Sequence, residues 1–382
     1  MKKLFTQLLL CMLLFCVREH ATAQVQNQYS TVTTGASFLM ISPDARNAGV
    51  AEAGTGLFGD SNSGFTNGAK LSFAQRTGVS VSYVPWMREL DKDLHLGNLS
   101  AYHAISDRET LGCSVKYLDL GNINFRDDAG SLLQQYQASE FAIDATYSRK
   151  FGEDFAIALT GRFIRSDLGN GQFNGLQVEP SNAYAADIGI YSDKTLTHSR
   201  YAWGLSLSNV GTKIKYSTVN GGDAFLPMNL RIGGGYTLLQ NSNNSITFLV
   251  DVNKLMVPSP PRYKLDQNGM VTSEIEKGKD PNRSVPNALF SSLFDAPGGF
   301  REEISEFTIA GGLEFAYQGQ FFIRTGFFYE DPDKGNRQHF AAGLGLKLKG
   351  VQFDMSYVAP TLKRYVLRNG LKFTLSYAID NR

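Results

Sequence analysis

From residue 77 to the end of this chain, short stretches of alternating apolar and polar residues are each followed by a turn. Clear examples are Phe141-Ala-Ile143-Asp-Ala145-Thr-Tyr147 and Val351-Gln-Phe353-Asp-Met355-Ser-Tyr357. Successive side chains of a β-strand point to opposite faces, so each stretch has one apolar face and one polar face. About ten residues is the length with which a tilted strand crosses a bilayer. The pattern therefore predicts an all-β fold, a transmembrane β-barrel of antiparallel strands.

We expect about fourteen strands, an even number as in single-chain outer-membrane barrels. A soluble β-sandwich is the alternative all-β fold, but strands of this length favour the barrel. The strands are predicted around residues 79–83, 99–105, 111–118, 141–147, 155–163, 186–191, 201–207, 230–236, 246–252, 307–315, 321–329, 340–348, 351–357 and 371–377.

The connections between these strands alternate in length around the predicted ring. Outer-membrane barrels have short periplasmic turns and long surface loops, so the alternation predicts that both termini are periplasmic. The short connections lie near residues 106–108, 152–154, 192–199, 241–244, 318–319 and 349–350. The long ones lie near residues 86–94, 121–137, 167–182, 210–226, 253–303, 331–338 and 359–369.

The N-terminus has the features of a secretory signal peptide, which we place at residues 1–23. Lys2 and Lys3 precede an apolar run over residues 4–17, and Ala21-Thr22-Ala23 is a small-residue cleavage site. A membrane anchor helix is the rival interpretation, but the apolar run is too short for one. Residues 24–75 lack the strand pattern and form either a periplasmic segment or a plug in the lumen. Residues 76–382 form the barrel.

Charged residues on the strands fall opposite the apolar set, and we expect them to face the lumen as structural ion pairs. A Lys or Arg turned to lipid at the bilayer midplane costs about 2–4 kcal/mol. The predicted lumenal set is Asp144, Lys150, Arg162, Asp187, Asp251, Glu314, Arg324, Lys347 and Asp354. Removing residues 1–23 takes away three basic residues and one acidic residue, which changes the formal charge from +1 to −1. A nearly neutral chain disfavours nucleic acid as a partner.

No motif in the sequence supports an enzyme, a cofactor site or a metal site. Gly54-Thr-Gly56-Leu-Phe-Gly59 matches the dinucleotide fingerprint, but the required strand, helix and downstream acidic residue do not surround it. Asp331-Pro-Asp333-Lys-Gly335 lacks the downstream Glu of a calcium loop and is predicted to be a surface turn. The mature histidines have no metal-ligand spacing.

The long loop over residues 253–303 is the predicted interaction site. It opens on a proline-rich stretch that favours extended backbone, and later carries apolar residues whose exposure marks a contact surface. The alternative is that these residues pack back on the barrel mouth. The candidate binding residues are Lys254, Leu255, Met256, Val257, Pro258, Pro260, Phe290, Leu293 and Phe294.

Several of these stretches resemble the PorV family, which comprises outer-membrane barrels of the type IX secretion system. The resemblance is carried by Ser42-Pro-Asp-Ala-Arg46-Asn-Ala-Gly49, Asn67-Gly-Ala-Lys70-Leu71, Leu226-Pro-Met-Asn-Leu230-Arg231 and, most specifically, Val250-Asp251-Val-Asn253-Lys254-Leu255-Met-Val-Pro258. It implies a FadL-like barrel of about fourteen strands in the outer membrane of a Gram-negative, Bacteroidota-like bacterium.

The resemblance also implies a role that spacing alone does not reveal. PorV-like proteins bind the folded C-terminal signal domain of secreted cargo at the translocon, called SprA or Sov, and pass it to the sortase-like PorU. The second hypothesis is a FadL-like channel for hydrophobic small molecules, which requires an apolar lumenal pocket. A third is a paralogue that scaffolds the sortase complex without touching cargo.

Overall fold

The structure is a computed structural model that describes residues 31–86, 94–126, 132–173, 176–216, 223–239, 244–361 and 370–379. Fourteen of its strands form one closed antiparallel barrel, in which each strand pairs with the next and the last pairs with the first. The barrel strands are β1 (Thr77–Pro85), β2 (His95–Ala104), β3 (Glu109–Arg126), β4 (Leu132–Lys150), β5 (Phe155–Asp167), β8 (Ser181–Thr195), β9 (Ser199–Gly211), β12 (Asn229–Leu239), β13 (Ser245–Leu255), β16 (Phe307–Tyr317), β17 (Phe321–Tyr329), β18 (His339–Leu348), β19 (Val351–Pro360) and β20 (Gly370–Ile379).

The predicted fold class is confirmed, because each barrel strand overlaps one predicted strand, and the connections alternate between short and long except between β3 and β4. One predicted long loop, at residues 121–137, is mostly strand. There β3 and β4 continue past a register shift after Asp119, and pairing resumes between Asn122 and Gln137. Gly121 takes a φ of 65° at this shift, a conformation that favours glycine and lets the ladder continue beyond it.

Three small hairpins lie in the long loops and were not predicted. They pair β6 (Gly171–Phe173) with β7 (Leu176–Val178), β10 (Ile214–Lys215) with β11 (Asp223–Ala224), and β14 (Arg262–Leu265) with β15 (Val271–Lys277).

The two faces of the barrel wall are sorted as the alternation predicted. On β4, Ile143 points outward and is 46% exposed, whereas the next residue, Asp144, points inward and bonds Arg162 at 2.6 Å. A strand in the wall of a membrane barrel needs an apolar face toward the lipid and a polar face toward the lumen.

The segment before β1 lies inside the barrel, where its backbone and side-chain polar groups bond the inner wall. The amide of Ala45 donates to Thr374 Oγ1 at 2.9 Å, and Asn67 Nδ2 donates to the Ile190 carbonyl at 2.8 Å. Its helical turns are Ser37–Met40, Ala45–Gly49, Ser63–Thr66 and Gly68–Phe73. Within the described ranges, no helix is long and apolar enough to cross a membrane.

This segment runs lengthwise through the lumen. Phe38 packs with Val84 and Leu96 at the end of the barrel that carries the long loops. Ser72 bonds Ser148 at 2.6 Å near the end that carries the short turns. The proposed signal peptide and the extreme C-terminus lie outside the described residues. The segment boundaries at 23 and 75 and the periplasmic position of both termini therefore remain predictions.

The longest connection, residues 256–306, lies at the long-loop end, and we call it the cap. It contains the β14–β15 hairpin and two short helices, Val285–Ser291 and Phe300–Ser305. Both ends of the cap join barrel strands directly, β13 before it and β16 after it.

Candidate functional site

The lumen wall carries ion pairs that neutralise its charges in place. Arg162 lies 2.6 Å from Asp144 and 2.9 Å from Asp187, and Arg324 lies 2.6 Å from Glu314. Further wall pairs are Arg324–Asp354 at 2.7 Å, Arg231–Asp251 at 3.2 Å and Arg200–Asp193 at 2.6 Å. The predicted lumenal ion pairs are therefore confirmed for seven of the nine residues. The other two are Lys150, whose ammonium lies over the Phe73 ring, and Lys347, which is half-buried.

The lumenal segment adds its own bonds to this wall. Arg46 contacts Glu314 at 3.5 Å and Asp60 at 2.8 Å, while the Thr55 hydroxyl donates to Asp251 at 2.7 Å. Two wall lysines bond backbone carbonyls of the segment, at Ile41 and Ser42. Because these bonds reach strands on opposite sides of the ring, the segment is a plug that spans the lumen.

The glycines of the Gly54–Gly59 stretch have a packing role in this plug. A Cβ at Gly56 would lie 2.3 Å from the Gly235 nitrogen, and one at Gly54 would lie 1.9 Å from Asn47 Oδ1. The backbone reaches the wall at Gly56, and packs against Asn47 within the plug at Gly54, only because these side chains are absent. The residue pattern that resembles a dinucleotide fingerprint is thus a turn pressed against a strand.

A cavity of about 380 Å³ lies between the plug and the barrel wall and extends to the long-loop end. Apolar side chains such as Leu39, Met40 and Phe65 line part of it. Charged side chains of both signs line the rest: Lys116, Arg162, Arg231, Lys334 and Arg337 beside Glu52, Asp144, Asp187, Glu306 and Glu330. This mixed lining differs from the mostly apolar pocket that an apolar ligand requires.

The base of the cap is an apolar cluster buried against the barrel. Met256 and Val257 pack with Met228 and Ala288, all nearly inaccessible, and Val32 of the plug packs against the same cluster. The Met256 amide also donates to the Met228 carbonyl at 2.7 Å. Cap, plug and barrel wall therefore share one small core.

A buried ion cluster fixes both ends of the cap. Lys254 lies 2.7 Å from Glu303 and 2.6 Å from Glu306. Lys334, in the loop between β17 and β18, lies 2.6 Å from Glu302 and 3.0 Å from Glu306. Burial raises the pKa of the Glu306 carboxyl, but the Lys254 ammonium and the hydrogen bonds around it outweigh burial. The pKa therefore lies below its ordinary value of 4.5.

The cap exposes several large apolar side chains that are close together in sequence. Phe290, Phe294 and Phe300 are 74%, 78% and 81% exposed, and Ile304, on the same helix as Phe300, is 54% exposed. Large apolar side chains exposed in this way indicate a contact surface. We call Phe290, Phe294 and Phe300 the aromatic ridge.

The structure divides the predicted binding residues into two groups. Phe290 and Phe294 are exposed on the ridge, and Leu293 between them is partly buried against the cap base. Lys254, Met256, Val257 and Pro258 are buried at the base of the cap, with Leu255 and Pro260 partly so. The second group packs within the structure, and only Phe290 and Phe294 of the first group expose their side chains to solvent.

Sequence reasoning missed the acidic partners of Lys254 and the β14–β15 hairpin. Glu302, Glu303 and Glu306 lie at the end of the predicted long loop, and nothing local in the sequence shows that they meet two lysines. The hairpin had a usable signal, because Asn268-Gly269 is a turn dipeptide followed by the alternating stretch Val271–Lys277.

The family described as Type IX secretion system protein PorV matches this chain over residues 23–262. Among solved structures, the CymD monoaromatic hydrocarbon channel aligns with a TM-score of 0.50 at 9% identity, covering 88% of this chain and 98% of that one. No curated protein matches the chain.

Two further solved structures align over most of their length. The Pseudomonas putida toluene transporter TodX gives a TM-score of 0.47 at 10% identity, covering 92% of this chain and 95% of that one. A Pseudomonas aeruginosa FadL homologue gives 0.43 at 12% identity, covering 91% and 98%. At such identities the likeness concerns the barrel fold alone.

Proposed function

This chain belongs to the PorV family of type IX secretion system proteins, and we propose that it binds the C-terminal signal domain of secreted cargo with its cap. In this proposal it receives cargo at the SprA (Sov) translocon and passes it to the PorU sortase. The family and fold are those of secretion and transport barrels, and the proposed role includes no catalytic step. The barrel stands in the outer membrane with its long loops at the cell surface and both termini in the periplasm.

The observation that carries this proposal is the aromatic ridge on a rigid base. An interface gains most of its free energy from a few large side chains that a partner can bury. Phe290, Phe294 and Phe300 are such side chains, and the Met256–Val257 core and the Lys254 ion cluster hold their helices in place. Because the base is already ordered, cargo binding does not have to offset the conformational entropy that the cap would lose on becoming ordered.

The direct test is binding of a purified cargo signal domain to the full-length protein and to the double variant Phe290→Ser, Phe294→Ser. We expect the variant to bind about a hundredfold more weakly, because each lost aromatic anchor costs about 1–2 kcal/mol or more. The matched control is Phe151→Ser, at an exposed turn between β4 and β5 on the opposite end of the barrel. Equal binding by the ridge variant would place cargo elsewhere on the protein.

A second candidate function is a channel for hydrophobic small molecules. Its support is the fold shared with CymD, described as a monoaromatic hydrocarbon channel, together with the cavity of about 380 Å³. The plug and the charged lining of the cavity weigh against it. Uptake of a labelled fatty acid by cells with and without the protein separates the two candidates, since only the channel function predicts a difference.

A further inference from the structure

The β14–β15 hairpin projects from the cap as a two-stranded ribbon with no third strand beside it among the described residues. Its side chains are exposed along most of its length, whereas Pro261, directly before β14, is buried. Isolated two-stranded ribbons are marginally stable in water, and their outer edges leave backbone N–H and C=O groups without protein partners.

One face of the ribbon is apolar and uncovered. Tyr263 pairs with Ile275 across the two strands, and Leu265 pairs with Val271. The register shifts by two residues between these pairs, an even number that leaves the four side chains on one face. Leu265 and Val271 are 63% and 71% exposed. The opposite face is polar and carries the Lys264–Glu274 ion pair at 2.8 Å.

The base of the ribbon is held while its length is free. Gly278, with a φ of 93°, turns the chain directly beside Pro261, and a Cβ there would lie 3.2 Å from the Pro261 Cα. At the tip, the Asp266 amide donates to the Met270 carbonyl at 2.8 Å and closes the turn. The ribbon is therefore packed at its base and closed by a turn at its tip, and it pairs with no third strand among the described residues.

We propose that the hairpin captures cargo by strand addition, accepting the edge strand of a β-sheet domain against β14 or β15. This inference deepens the proposed function and rests on it. Only an extended strand satisfies a free ribbon edge along its whole length, and a β-sheet domain also brings an apolar face to cover Leu265 and Val271. The aromatic ridge supplies side-chain anchors, and the hairpin supplies backbone hydrogen bonds.

The test is amide hydrogen exchange of the full-length protein in nanodiscs, with and without the isolated C-terminal signal domain of a protein secreted by the same system. Strand addition predicts that amides in 262–265 or 271–277 become protected on binding. If these amides are already protected in nanodiscs without the signal domain, and binding adds nothing, lipid covers the hairpin and the inference is overturned. Bound cargo without protection in these strands would also overturn it.

Two variants complete the test. In the first, residues 263–276 are replaced by Asn-Gly, which joins the paired residues Arg262 and Lys277 through a tight turn. The second, Val271→Asp, keeps the hairpin and removes only apolar contact. We expect at least a tenfold loss of binding in both, whereas the control Lys264→Ala on the polar face binds as the unaltered protein does.

The outcomes separate this inference from the proposed function. If both variants bind cargo normally while the ridge variant does not, strand addition is wrong and the proposed function stands. If the unaltered protein does not bind the signal domain at all, the proposed function fails and takes this inference with it. Normal protection of the cap base around Met256 in each variant shows that a loss of binding is not a loss of fold.

Discussion

Lys254 and Glu306 lie 2.6 Å apart, and this ion pair joins the penultimate residue of β13 to the residue immediately before β16. The two strands are neighbours in the barrel, so the pair closes the whole cap at its root. A loop whose ends are held together at a fixed spacing loses much of its freedom to rearrange. The position of the aromatic ridge thus depends on an ion pair that is itself buried.

The first prediction concerns Lys254→Met. Removing the ammonium leaves Glu303 and Glu306 buried beside one remaining lysine, and breaking a buried pair in this way costs about 3–5 kcal/mol. We expect faster proteolysis within the cap while the barrel remains heat-modifiable on gels. The matched control is Lys264→Met, which removes an ion pair that is exposed on both sides and should leave cleavage unchanged. Equal cleavage of the two variants would show that the cluster does not hold the cap.

The second prediction is an acid-sensitive cap. The pKa of Glu306 in the folded cap lies below its ordinary value of 4.5. Its contribution to stability is therefore fully present above pH 4.5 and is lost as pH falls through the lowered folded pKa. Burial raises the pKa of Asp295, so its contribution is present below its ordinary pKa of 3.8 and is lost as pH rises through the raised value.

The measurement for this prediction is hydrogen exchange of the cap between about pH 7 and about pH 3, corrected for intrinsic rates. We expect protection to fall at the acid end in the unaltered protein. Glu306→Gln should remove this acid-dependent fall, because the amide does not titrate, and should lower protection near neutral pH. If protection in Glu306→Gln falls with acid as it does in the unaltered protein, another group causes the loss of protection.

The strands were predictable from sequence because the period of two is imposed by lipid outside and charge inside. Ile143 and Asp144 show this directly, since exchanging their faces would put a carboxylate in hydrocarbon. The β14–β15 hairpin was missed although Asn268-Gly269 marks its turn, because Leu265 and Val271 stay exposed and belong to no buried core. The continuation of β3 and β4 was missed because Gly121 interrupts the alternation.

The candidate site was less predictable, because burial there depends on residues distant in sequence. Lys254 follows an apolar strand and resembles a residue at a loop entrance, yet Glu303 and Glu306 meet it only after the cap folds back. The route of the plug was equally hidden. Its Gly56 contact with Gly235 is a backbone approach, for which hydrophobic periodicity carries no signal.

The third prediction tests orientation with single cysteines in a Cys113→Ala background. Gln267→Cys lies at the exposed tip of the β14–β15 hairpin, and Glu153→Cys lies in the exposed turn between β4 and β5. If the long loops face the cell exterior, a membrane-impermeant thiol reagent applied to intact cells labels the first and not the second. Both should be labelled after lysis, which controls for reactivity. The reverse pattern on intact cells would invert the proposed orientation.

The fourth prediction tests whether the plug is packed to its limit against the wall. In Gly56→Ala, the new Cβ would lie 2.3 Å from the Gly235 nitrogen and 2.5 Å from the Gly234 carbonyl carbon. Both contacts are with the backbone of a barrel strand, so no side chain can move aside. Overpacking of this kind costs about 1–3 kcal/mol, and we expect a lower midpoint of heat modification. Gly64→Ala is the matched control, because it places the same methyl group in the plug where nothing lies within 4 Å. Its midpoint should be unchanged or slightly raised, since alanine favours the helix at Ser63–Thr66. If Gly56→Ala melts like this control, the plug has room to shift in the lumen, and its contact with β12 does not fix its position.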